Sequence, residues 1–212
     1  MNVQQIKSLF TGRIDYQIRT PWLTEELREK DEEFNKPVKK FLIQELKDIG
    51  EEKILDIGSG IFADTYLPDS RIKQTVKTDF IEINQSCGQN IIKVSADNLS
   101  SVFDEESFGV VIMKQVYTHL ENPIDALKEV NKVLKRQGLF ILIDWERTES
   151  GLSKKQISEY VPEMVTDFNA EQMMKDFKDF GFEPVKKQIL LRKAALDVPY
   201  EVLLTAVVGQ KK

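Results

Sequence analysis

The stretch Lys53-Ile-Leu-Asp-Ile-Gly-Ser-Gly-Ile-Phe62 decides the fold. Ile54, Leu55 and Ile57 form a short apolar run, long enough for one buried strand. The run breaks at Gly58-Ser59-Gly60. A strand that ends in glycines and turns straight into the next element is the mark of a ligand cradle. Two missing Cβ atoms let a bound molecule approach the backbone closely. Asp56 stands just before the turn. At neutral pH its carboxylate only accepts hydrogen bonds, which suits an ammonium or a hydroxyl better than a phosphate. No Lys-Ser/Thr pair follows the glycines, so the stretch is not a P-loop. Gly58, Gly60 and Ala63 also satisfy the looser dinucleotide pattern G-x-G-x-x-G/A. A plain strand-to-helix turn is the structural alternative.

The chain outside this stretch extends the pattern. Thr75 to Asp79 reads as a second strand closing on an acid, 19 residues past Gly60. In a β-α-β unit that spacing puts Asp79 at the carboxyl end of the neighbouring strand, in reach of a ribose diol, and Phe80 after it can cover an adenine face. A third strand, Ile91 to Val94, leads into the polar turn Ser95-Ala-Asp-Asn-Leu99. Asp97 can accept from an adenine amino group there, with Ser95 as the candidate in the other register. Val110 to Lys114 reads as strand four. Asn122 and Pro123 open a helix with Ile124, Leu127, Val130, Val133 and Leu134 on one face. Lys135 and Arg136 suit its C-terminal end, and Gly138 stops it. Leu139 to Ile143 is strand five, closing on Asp144, Trp145 and Glu146.

Both ends of the chain differ from this repeat. Residues 1–50 read as helices. One is capped by Thr24, and a second starts at Asn35-Lys36-Pro37, carries Val38, Phe41, Leu42 and Leu46 at helical spacing, and ends at Gly50. Tyr16, Arg19 and Trp22 fall in a loop before them, as a packing strap or as a lid over a ligand. Residues 150–168 read as a polar, helix-prone insert. Ala170 to Phe180 reads as a helix with Met173, Met174, Phe177 and Phe180 inside. The last two strands, 183–192 and 200–208, are joined by too short a link for a parallel crossover and are therefore antiparallel. The expected fold is α/β: a Rossmann-like seven-stranded sheet, mostly parallel, with a C-terminal antiparallel hairpin.

Composition narrows the function. The 212 residues carry a formal net charge of -5, which gives no basic footprint for nucleic acid. No apolar run approaches the ~20 residues of a membrane span, and no secretory leader is visible. One cysteine, Cys87, forbids an internal disulfide and fits a reducing cytoplasm. No cluster of Cys, His or carboxylates reads as a metal site.

With these pieces in place, the chain resembles the class I S-adenosylmethionine-dependent methyltransferases, in the UbiE-like and type 11 group. The resemblance rests on L-D-I-G-S-G at 55–60, T-D-F at 78–80, S-A-D-N-L at 95–99, S-F-G-V-V-I at 107–112 and the segment 119–138, and runs from about residue 40 to 208. Phe62 replaces the third motif glycine, Gly109 stands where an aspartate is common, and Arg136-Gln137 replaces a proline-glycine pair.

The resemblance implies one methyltransferase domain over 1–212, with 1–50 as a helical lid. It implies that Gly58, Ser59 and Gly60 pass under the methionine part of S-adenosyl-L-methionine, with Asp56 on its ammonium side. Asp79 would hold the ribose, beside Phe80. Asp97 and Asn98, or Ser95 and Ala96 in the other register, would read the adenine, and Lys114 and Gln115 would line the methionine end. Tyr16 and Arg19 would close over the carboxylate. His119, the sole histidine, is the candidate general base, with a backbone-bonded helix-entry residue as its other reading. Tyr117, Asp144 and Glu146 lie on the substrate side. The expected partner is a small-molecule methyl acceptor, for a cytoplasmic monomer or homodimer. An NAD-linked oxidoreductase and a non-catalytic cofactor-binding protein are the alternatives.

Overall fold

The computed structural model describes residues 21–60, 63–80, 90–147, 166–194 and 201–212. Seven strands form one sheet: β1 (Ile54–Ile57), β2 (Thr75–Asp79), β3 (Ile91–Lys93), β4 (Phe108–Lys114), β5 (Leu134–Arg147), β6 (Phe182–Ala194) and β7 (Glu201–Lys211). Their order across the sheet is 3-2-1-4-5-7-6. The first five are parallel to one another, and β7 runs antiparallel to both β5 and β6. The expected sheet and its terminal hairpin are therefore present. The strand order reverses between β1 and β4, so the carboxyl ends of these two strands open the crevice where such sheets hold ligands.

Residue alternation divides the core into two layers. On one side Ile54, Val110, Ile112, Ile141 and Ile143 pack against helix α1 (Pro21–Glu45) through Val38, Phe41, Leu42 and Leu46. On the other side Leu55, Val111, Met113, Phe140 and Leu142 meet α2 (Pro123–Val133) and α3 (Ala170–Asp176). Strands covered on both faces need apolar residues at successive positions, which explains the unbroken runs in β4 and β5.

The N-terminal region corrects one expectation. α1 is a single helix that runs through Pro37, so Thr24 lies inside it and Asn35 caps nothing. An interior proline costs about 3 kcal/mol. Val38, Phe41, Leu42 and Leu46, all buried just past it, offset that cost at ~1.5–3 kcal/mol each. Asn35 is buried and donates to Asp31 Oδ2 (2.8 Å) and Thr65 Oγ1 (2.9 Å). The far end of the helix is closed by Arg71. Its guanidinium donates to the carbonyls of Leu46 (2.7 Å), Ile49 and Gly50 (2.6 Å).

Smaller differences follow from packing. In α2, Ala126 joins Leu127, Val130 and Val133 inside while Ile124 is exposed, and Leu134 to Arg136 already belong to β5. α3 ends at Asp176, and the following turn places Phe177 against Phe140 and Phe182, with ring centroids 5.6 and 5.5 Å away. Gln137 sits at φ +63°, a left-handed conformation that glycine adopts without strain. Of the span 150–168, only 166–168 is described, and it is not helical.

Candidate functional site

The glycine turn after β1 has two different reasons for its two glycines. Both adopt left-handed backbone, at φ +65° for Gly58 and +59° for Gly60. A Cβ on Gly58 would stand 2.1 Å from Val116 Cγ2, so the loop after β4 packs where that side chain would be. A Cβ on Gly60 would meet nothing within 4 Å among the described residues. The turn is tied to β2 by its own amides: Ser59 N donates to the Thr78 carbonyl (3.0 Å) and Gly60 N to Asp79 Oδ2 (3.1 Å). Asp79 is thereby fixed at the lip of the open space above Gly60. After Gly60 the described chain resumes as a three-residue 3-10 turn, Ala63–Thr65, and not as the helix N-terminus on which a pyrophosphate rests.

Asp56 lies at the centre of the crevice and is fully buried. Tyr66 donates its hydroxyl to Asp56 Oδ2 at 2.6 Å, while Oδ1 has no partner among the described residues. Burial lifts the Asp56 carboxyl from its ordinary value to about 7, against the opposing pull of the Tyr66 hydrogen bond and the Lys114 charge. Tyr66 is pushed up too, by burial and by the carboxylate it serves. An unsatisfied buried carboxylate oxygen is costly, and it is the acceptor that an ammonium would complete.

The end of β3 joins the same rim. Val94 N donates to the Asp79 carbonyl (3.1 Å), and the turn behind it closes through Asn98 N to the Ser95 carbonyl (3.0 Å). Ala96 is buried, Ser95 half-buried, and Asp97 and Asn98 exposed. Phe80 is 70% exposed beside them. At the end of β4, Lys114 Nζ donates to Gln115 Oε1 (2.7 Å) and lies 4.6 Å from the centroid of the Tyr66 ring. Burial lowers the Lys114 pKa. Gln115 takes φ +56°, and its amide reaches the Ile143 carbonyl at 2.7 Å. Backbone strain of this kind gathers at functional sites.

The other candidates lie at the end of β5 and in the segment after β4. Asp144 is buried and accepts from Thr118 N and Thr118 Oγ1, both at 3.1 Å, and from Trp145 N at 2.7 Å. Glu146 accepts from Ala170 N and Thr205 Oγ1, both at 3.0 Å, which fastens α3 to the hairpin. Tyr117 packs edge-on against Phe168, with centroids 5.9 Å apart. His119 is exposed at the end of the 3-10 turn Tyr117–His119. Tyr16, Arg19, Phe62 and Cys87 lie outside the described residues. Among the described residues no group of His, Cys and carboxylates is arranged to hold a metal ion, and no helix is long and apolar enough to cross a membrane.

Residues that the sequence reading passed over complete the site. Tyr66 is one. Asp31 is another: it accepts from Asn35 and from Thr65 Oγ1 (2.5 Å), on the α1 side of Lys114. Phe34, on the same helix, meets Trp145 with ring centroids 5.7 Å apart. A signal was present in the helix. Asp31, Phe34, Asn35, Val38, Phe41 and Leu42 share one helical face, and two polar residues interrupt its apolar stripe. Tyr66 carries no comparable mark.

The comparisons bear on the family and the fold. Residues 55–142 match the methyltransferase domain family. No curated protein sequence matches the chain. Solved structures share its fold at low identity. A SAM-dependent methyltransferase from Archaeoglobus fulgidus superposes with a TM-score of 0.68 at 16% identity, covering 91% of this chain and 100% of that one. The 1,6-didemethyltoxoflavin-N1-methyltransferase of Burkholderia thailandensis, solved with 1,6-didemethyltoxoflavin and S-adenosylhomocysteine, gives 0.61 at 16% identity over 99% of this chain and 86% of that one. The putative methyltransferase bound to the Trm112 activator of Haloferax volcanii gives 0.65 at 16% identity, covering 90% and 96%.

Proposed function

We propose that this chain, whose residues 55–142 match the methyltransferase domain family, transfers the methyl group of S-adenosyl-L-methionine to a small-molecule acceptor by in-line displacement. The observation that carries the reading is the buried Asp56, one oxygen satisfied and the other unpartnered among the described residues, on the strand that leads to Gly60 and the Asp79 carboxylate. These residues fit the cofactor. Asp56 Oδ1 would accept from its ammonium, the Gly58–Gly60 turn would pass beneath the methionine part, and Asp79 would accept from the ribose hydroxyls. Phe80 and the 95–98 turn would flank the adenine. Lys114 and Gln115 stand where the methionine end meets the acceptor.

When bound, the cofactor supplies a methyl group already activated by a sulfonium leaving group. The protein's share of the work is therefore mostly placement, with reacting atoms held about 3–3.5 Å apart. Ser59 N and Gly60 N hold the cradle to β2, and Tyr66 holds Asp56 in one orientation. His119 is the candidate proton acceptor for an acceptor that arrives protonated, and it faces the water that would carry the proton away. A net charge of -5 favours a metabolite over nucleic acid, and a lone cysteine fits a cytoplasmic protein, monomeric or homodimeric.

The test is calorimetric titration of the protein with S-adenosylmethionine, S-adenosylhomocysteine and NAD, repeated on Asp79→Asn and Asp79→Ala. We expect micromolar binding of the first two, none of NAD, and a loss of tenfold or more in both variants. Asp79→Asn keeps an acceptor for Gly60 N, so its loss reports the ligand contact and not a loosened turn. NAD binding alone would overturn the reading.

A further inference from the structure

We propose that Lys114 anchors an acidic group on the methyl acceptor, so that the acceptor is a small planar acid held at the end of β4 beside the Phe34–Trp145 pair. This rests on the methyltransferase reading above and carries it to the class of substrate.

The placement follows from the sheet. Val110 and Ile112 of β4 pack on the α1 side, so Lys114, two residues on, projects to that side too. Its register partner on β5 is Ile143, which shares that layer, and Trp145 follows one step further along. Phe34 comes down from α1 onto Trp145. In the strand order 2-1-4-5, Asp79 and Asp56 lie on one side of Lys114 and the aromatic pair lies on the other. Lys114 therefore stands at the border between the cofactor strands and an aromatic wall.

Its chemistry is unfinished there. A lysine ammonium has three N–H donors. One is spent on Gln115 Oε1, and the Tyr66 ring takes up part of the charge. Among the described residues no carboxylate forms an ion pair with it; Asp31, Asp56 and Asp144 act on it only from a distance. A half-buried cation with donors to spare, over the Tyr66 ring and on the strand beside the Phe34–Trp145 pair, favours a flat molecule carrying a carboxylate or a comparably acidic group. Burial, which lowers the lysine's proton affinity, adds to the demand for a counter-charge.

The experiment uses the full chain saturated with S-adenosylhomocysteine and two probes of one shape, 4-fluorobenzoate and 4-fluorobenzamide, titrated by fluorine NMR. The acid is expected to bind at least tenfold more tightly than the amide. Lys114→Met should bring the two within about twofold of each other, and Lys114→Arg should keep the preference. The acid-to-amide ratio is the readout, so a general loss of packing in one variant does not mimic the effect.

Equal binding of the two probes to the wild type, no binding of the acid at 10 mM (roughly the limit for a specific small ligand), or an unchanged ratio in Lys114→Met would each overturn the proposal. If Lys114→Met loses S-adenosylhomocysteine but keeps 5′-methylthioadenosine, Lys114 serves the cofactor's own carboxylate and the proposal is likewise overturned. Failure of the wild type to bind S-adenosylhomocysteine would refute the methyltransferase reading itself.

Discussion

Replacing Tyr66 by phenylalanine removes one oxygen and leaves the buried ring in place. The oxygen lost is the donor 2.6 Å from Asp56 Oδ2, so the carboxylate is left with no hydrogen bond from the described residues, since Oδ1 has none there. A hydrogen bond to a charged group contributes about 1.5–3 kcal/mol, and each 1.36 kcal/mol is about one pKa unit, so the variant's carboxyl should rise by ~1–2 units. Starting from about 7, it would titrate near ~8–9. At pH 7.5 the ionised fraction then falls from about three quarters to between ~3% and ~25%. If the cofactor's ammonium binds only the ionised form, affinity for S-adenosylhomocysteine drops ~3- to 25-fold at that pH and largely recovers by about pH 9.5. Calorimetry from pH 6 to 9.5 on both proteins reads this directly. A uniform loss at every pH would refute the reasoning, because it would mean that Tyr66 acts through shape and not through the charge of Asp56. No loss at any pH would remove Asp56 from the ligand's ammonium altogether.

The same buried acid should govern stability without ligand. Its folded pKa is raised, so between about pH 4 and pH 7 the folded state keeps a proton that the unfolded state has released, and stability falls as pH rises through that window. The full penalty, present above pH 7, is at most ~4 kcal/mol for a shift of about three units. Asp56→Asn should therefore gain stability over wild type by ~2–4 kcal/mol on going from pH 5 to pH 8, as read by urea unfolding. The two loop glycines should separate cleanly. Gly58→Ala meets Val116 at 2.1 Å and should cost about 2–4 kcal/mol of stability. Gly60→Ala has room and should cost only ~1–2 kcal/mol, but it should weaken S-adenosylhomocysteine binding at least tenfold, because its methyl enters the cradle. Gln137→Gly should raise stability by about 1 kcal/mol by relieving a left-handed backbone, measured as a higher urea midpoint at constant slope.

Much of the sheet was legible because parallel strands covered on both sides are written as continuous apolar runs. Val110 to Ile112 and Phe140 to Ile143 announce themselves in this way. The hairpin was legible from a linker too short for a crossover. α1 was misread as two helices because a proline is a strong local signal, while the burial of Phe41 and Leu42 that overrides it is a property of the assembled core. Gly58, Gly60, Asp56 and Asp79 could be read because their spacing follows the geometry of a β-α-β unit. Tyr66 could not: its role depends on a hydroxyl reaching back ten residues across an irregular 3-10 segment, which has no sequence period. Glu146 looked like a substrate-side acid for the opposite reason. A carboxylate at a strand end has the same appearance whether it faces a ligand or, as here, ties Ala170 and Thr205 together.

The position of β7 bears on how the chain is made. β6 is synthesised before β7, yet β7 is the strand that lies between β5 and β6. Until residues 201–211 have left the ribosome, β6 has no neighbour to join, and β5 has an open edge where Phe140 to Ile143 stand exposed. The nascent chain therefore carries its most aggregation-prone edge until late in translation. A stop after Ala194 would remove the strand that joins β6 to the rest of the sheet and leave that edge uncovered, and such fragments should be cleared as misfolded chains although Asp56, Gly58, Gly60 and Asp79 are all intact.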